Sequence, residues 1–155
     1  METSLNMQKY YNYREQMGRL KKALRNGFLL EAVFIEYAVM EDRTEAILRY
    51  EGNSIKPKDP EDFISIDRKL NKIKTIAREK KSLANRYFGD ELADDILKWK
   101  DERNGLIHAM IKRKLSTEDI EAVAFKGEEL VNELNKRSQN YKRAVERKNA
   151  KLKKE

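Results

Sequence analysis

The sequence predicts an all-α fold: a single-domain bundle of four to five helices. Three observations predict it. The 155 residues suit one domain with a proper core. Only six Gly and two Pro interrupt a chain in which 39% of residues are charged. Apolar residues recur at spacings of three and four through nearly all of its length.

The first helix is expected over residues 4 to 25, with Tyr10, Tyr13, Met17, Leu20 and Leu24 on one face. "RNGF" (25 to 28) turns the chain, because Gly27 can take a positive φ without steric cost. The second helix, about 28 to 51, is the most apolar and therefore central. Its row Leu29, Val33, Glu36, Met40 turns a carboxylate toward the core, where it needs a partner or a shifted pKa. A loop follows over 51 to 60, and Asp59-Pro60 reads as the start of a third helix running to Phe88. Phe63, Ile66, Leu70, Ile73, Ala77, Ala84 and Tyr87 are its expected inner face. Gly89 ends that helix and Asp90 caps the fourth, whose stripe is Leu92, Ile96 and Trp99. Ser116, with Asp119 at N3, opens the fifth; Ile120, Val123, Gly127, Leu130, Leu134, Tyr141 and Val145 follow at near-heptad spacing.

Composition narrows the chemistry. There is no Cys, which excludes disulfides, thiolate zinc sites and Cys nucleophiles. One His and no carboxylates at metal-ligand spacing leave no metal site or cofactor to expect. The first residues lack a signal-peptide core, and no apolar run approaches the ~20 residues of a membrane span. A soluble, cytoplasmic protein without membrane contact is the expectation. The net charge of +7 lies in residues 136–155, with nine Lys/Arg against two Glu; positions 1 to 135 hold 25 of each sign. The reading is a helical domain over 1–135 and a basic helical extension or tail over 136–155. The tail, and the basic faces of the third helix, could meet RNA phosphates or simply face solvent. Lys72, Arg78, Lys81, Lys112 and Arg113 are the candidate RNA contacts. The Tyr cluster Tyr10–Arg14 could stack on bases, pack, or meet a second copy.

The chain's one His and one Trp lie in "WKDERNGLIHAMIKRK" (99–114). Continuing the fourth helix's stripe from Trp99 reaches Arg103, so a guanidinium points where core residues point. Glu36 is the predicted partner of Arg103. His108 is five residues on, about 140° away on an unbroken helix. Either Asn104-Gly105 bends the helix, or two copies of the chain bring the groups to one cleft. Arg offers a fixed charge and a planar fork for phosphate, and His passes protons near neutral pH. Without metal, these groups suit attack of a ribose 2′-OH on the adjacent phosphodiester, a route open to RNA and closed to DNA.

"RNGLIH" resembles the Arg-x4–6-His signature of HEPN domains (the higher eukaryote and prokaryote nucleotide-binding superfamily), with Asn104 as the polar residue after the Arg. "EYAVMEDR" (36–43) is similar to an acidic stretch of some such domains. The resemblance covers about residues 5 to 135. It implies a metal-independent endoribonuclease leaving 2′,3′-cyclic phosphate and 5′-OH ends, working as a homodimer with a composite site. Arg103 and His108 would be the catalytic pair, Asn104 the supporting polar group, and Glu36, Glu41 and Asp42 supporting carboxylates. It further implies a toxin–antitoxin or phage-defence setting, with an antitoxin or defence-system partner. The alternative is an inactive HEPN-like dimer that binds RNA or protein. Some such toxins carry, two residues after the His, a Tyr that the antitoxin nucleotidylates; here Met110 takes that place.

Overall fold

The computed structural model describes residues 2–154 and is all-helical over them. Helix α2 (Leu29–Tyr50) occupies the centre, as its near-continuous apolar surface predicts. It packs against α1 (Glu2–Asn26), α3 (Ile66–Ala77) and, most extensively, α6 (Thr117–Leu152). The five-residue α4 (Leu83–Tyr87) sits on α3 and α6, and α5 (Asp90–Lys112) closes the bundle against α3 and α6. No helix among the described residues is long and apolar enough to cross a membrane.

The α1–α2 and α2–α3 junctions end alike. Gly27 (φ 76°) and Gly52 (φ 72°) each follow a helix in the left-handed conformation. Phe28 N–H donates to Ala23 C=O (2.9 Å) and Asn53 N–H to Leu48 C=O (2.7 Å), the long bonds of Schellman caps. At the start of α6 Ser116 Oγ accepts from Asp119 N–H (3.1 Å), as its spacing predicts.

The expected third helix is two helices. Asp59-Pro60 forms only a turn, with Asp62 N–H donating to Asp59 C=O, and Ser65 caps α3 instead. Phe63, placed on the inner face by the sequence, is 73% exposed. Ser82 then splits the segment: its hydroxyl donates to Ile76 C=O (3.0 Å) and accepts from Asn85 N–H (3.1 Å). Asn85 Nδ2 donates to Ala77 C=O (2.6 Å), so these two side chains end α3 and start α4 together. The basic ridge is also partly internal, since Lys69 is buried between Glu41 (3.8 Å) and Glu45 (3.5 Å) and Lys74 binds Asp94. Helix α5 begins at Asp90 with Gly89 in the cap position; the capping side chain assigned to Asp90 lies outside the described residues.

Helix α6 runs unbroken for 36 residues, roughly 54 Å, through the division expected at 135/136. Ser138, Tyr141, Ala144 and Val145 are buried, so the bundle extends to Val145 and the basic extension carries part of the core. The Tyr141 ring lies edge-on to Phe88 (5.2 Å) and 6.1 Å from both Tyr50 and Tyr87, and its hydroxyl donates to Glu51 Oε1 (2.6 Å).

Candidate functional site

Trp99 anchors the helix that carries the motif. Its indole is buried, and Nε1 donates to Val123 C=O of α6 at 2.8 Å. One turn on, Arg103 leaves the core at a half-buried position. Its guanidinium lies 4.2 Å from the Tyr37 ring centroid and 5.4 Å from that of Phe34, both on α2. Nη1 donates to Asn104 Oδ1 (2.9 Å), while Nε is buried without a partner. Burial pulls the Arg103 pKa below its ordinary value, with Tyr37 opposing. Burial raises the Tyr37 pKa; Glu41 adds to that rise and Arg103 works against it.

Glu36 is buried, as its row predicts, but it does not meet Arg103. Both carboxylate oxygens lack hydrogen-bond partners. The carboxyl is pressed against α6 at Gly127, where an added Cβ would overlap it and stand 2.8 Å from Trp99 Cζ2. The predicted ion pair fails because α2 offers two faces here. Tyr37 and Phe34 meet the guanidinium on one, while Glu36 points to α6 on the other. Burial, and then Glu128, push the Glu36 pKa up to about 9, so the side chain is a neutral acid at pH 7.

Asn104-Gly105 does not stop the helix. Helix α5 continues through Asn104-Gly105 to Lys112. His108 is exposed and about 7.5 Å further along the axis than Arg103, about 140° around it. One chain therefore does not bring the pair together. Of the supporting carboxylates, Glu41 lies toward Tyr37 and Lys69, while Asp42 faces α1 and binds Lys9 (2.8 Å) and Arg43. Lys72, Arg78, Lys81, Lys112 and Arg113 are all exposed; Lys112 and Arg113 end the His108 helix, and Arg113 lies 3.6 Å from Asp119.

Sequence reasoning missed the aromatic seat of Arg103. Its only signal is that Phe34 and Tyr37 stand three residues apart on one face of a helix. Beyond Leu106 the last turn of α5 rises off the core, leaving Met110 43% and Ile111 99% exposed beside His108. Among the described residues no three His, Cys, Asp or Glu side chains gather as a metal site requires. Compared with family models, curated proteins and solved structures, the chain matches none.

Proposed function

We propose that the chain is a metal-independent endoribonuclease of HEPN type, acting as a homodimer in a toxin–antitoxin or phage-defence setting. The observation that carries this reading is the seat of Arg103. A guanidinium held by two aromatic faces and Asn104 is aimed before any ligand arrives, and the only imidazole stands free one turn further on. Because the two side chains diverge by about 140°, the site is composite, with a second copy supplying the complementary group.

In this mechanism one His108 takes the proton of a ribose 2′-OH. The 2′ oxygen forms a bond to phosphorus as the bond from phosphorus to the 5′ oxygen breaks. Arg103 neutralises charge gathering on the phosphoryl oxygens, and the other copy's imidazole returns a proton to the leaving 5′ oxygen. The ends are a 2′,3′-cyclic phosphate and a 5′-OH.

A second reading, a catalytically silent dimer that binds RNA or a protein, is favoured by one fact: Arg103 already spends one donor on Asn104. An RNase assay in EDTA separates them. Parent protein yields cyclic-phosphate ends from mixed-sequence RNA, while Arg103→Ala and His108→Ala yield none. Mixed together, the two variants stay silent, because a mixed dimer keeps only one of the two imidazoles that the step uses. Cutting by both variants at the parent rate sinks the enzyme reading, and intact RNA throughout favours the binding module.

A further inference from the structure

Away from Arg103, helices α1, α2 and α6 enclose a cleft of about 430 Å³ whose lining carries four cations and no carboxylate. That size lies within the ~300–1,000 Å³ range of small-ligand sites. Helix α1 contributes Lys9, Tyr10 and Tyr13; α2 contributes Arg43, Arg49 and Tyr50; Lys142 reaches in from α6.

Two of the cations are held in place from behind. Asp42 binds Lys9 through Oδ1 (2.8 Å) and Arg43 through Oδ2, with Arg43 Nε at 3.2 Å. The Arg43 guanidinium lies over the Tyr13 ring at 4.6 Å, a stacked arrangement that keeps its plane fixed. Lys142 has only Glu146, at 4.0 Å, and Arg49 has no acidic partner among the described residues. Counting Asp42 and Glu146 against the four cations leaves an excess of +2. That matches a phosphate monoester, which carries close to two negative charges at neutral pH. Beside the cations, the Tyr10 ring is 53% exposed and Tyr50 is half-buried, offering faces on which a nucleobase can stack. Packing alone does not call for this grouping, because four cations sharing two carboxylates still repel one another.

We infer that this α1–α2–α6 cleft binds a nucleotide through its phosphate, with the base on tyrosine and the phosphate between Arg43, Arg49 and Lys142. The ligand is either a free mononucleotide or the 5′-phosphorylated end of a strand. The inference is independent of whether Arg103 and His108 cut RNA.

The test is calorimetric titration of the full chain, carried out in the His108→Ala background so that no strand is cleaved. The probes are AMP, adenosine, and one short oligoribonucleotide with a 5′-phosphate or a 5′-hydroxyl. Arg49→Ala and Lys142→Ala alter exposed side chains, and thermal unfolding checks that both variants fold. A free-nucleotide site binds AMP and not adenosine, and each substitution weakens AMP by about tenfold, the scale of one charge-assisted hydrogen bond. A strand-end site ignores AMP but prefers the 5′-phosphorylated oligonucleotide, and each substitution removes that preference. Absence of both effects, or either effect surviving both substitutions, overturns the inference.

Discussion

Replacing Glu36 with Gln should stabilise the protein by an amount that grows with pH. Glu36 is fully buried, without hydrogen-bond partners, and its pKa rises from the ordinary 4.5 to about 9. A folded-state pKa above the unfolded one means that folding holds the proton. Stability is therefore fully present below about pH 4.5 and is lost as pH climbs through 9. At about 1.36 kcal/mol per pKa unit, the loss reaches about 3 kcal/mol at pH 7 and about 6 kcal/mol above pH 9. Both figures are ceilings, because relaxation and water entry soften the burial of a charge. Gln keeps the shape and cannot ionise, so Glu36→Gln escapes the pH-dependent loss while keeping the constant cost of a buried polar group. Urea unfolding of parent and variant at pH 5, 7 and 9 measures the gap. It should be small at pH 5 and widen at each step. A gap that stays constant, or a variant less stable than the parent at pH 9, would refute the reasoning by showing an ionised, paired Glu36.

Gly127→Ala should cost about 1–3 kcal/mol in urea unfolding, because the new methyl overlaps the Glu36 carboxyl and the Trp99 ring. Removing residues 136 to 155 should abolish cooperative unfolding, since it strips Ser138, Tyr141, Ala144 and Val145 from the core; removing 149 to 155 should leave the unfolding free energy within about 0.5 kcal/mol of the parent's. Tyr141→Phe should lose about 1–2 kcal/mol with its bond to Glu51, read from the shift in denaturation midpoint. Ile111→Lys, altering a 99% exposed side chain beside His108, should leave thermal stability unchanged while making the protein monomeric in sedimentation and silent toward RNA. A dimeric, active Ile111→Lys protein would move the proposed interface elsewhere.

The parts of the fold that were legible are those in which local chemistry and tertiary packing agree. Gly27 and the Ser116–Asp119 cap need only their neighbours in sequence, and the row Leu29, Val33, Glu36, Met40 is buried because α2 is apolar nearly all round. Where two local signals compete, tertiary contacts decide. Asp59-Pro60 reads as a helix start, yet Ser65 takes the role because Ile66 and Leu70 enter the core from there. The depth of α6 was hidden for another reason: Ser138 and Ala144 are small, so they thin the apolar stripe without leaving the packed face. At the candidate site, the place of Arg103 on the core-facing row of its helix was legible and its partner was not. A carboxylate and an aromatic pair both satisfy a guanidinium, and only the rotation of α2 chooses between them.

That choice shapes the proposed chemistry. An Arg103 locked to Glu36 would be neutralised before a phosphate arrived, and its fork would be occupied. Seated on Tyr37 and Phe34 it keeps its full charge, and burial makes that charge costlier to hold. A phosphate then recovers what desolvation has cost, which favours binding at this spot over the exposed lysines elsewhere on the surface. His108 has the opposite character. It stands beyond Leu106, the last buried residue of α5, on a turn that the core does not hold. A fixed cation with a free imidazole is a useful pairing only if something orients the imidazole. In the proposed dimer a second copy does so by covering Met110 and Ile111, so assembly and activation become the same event.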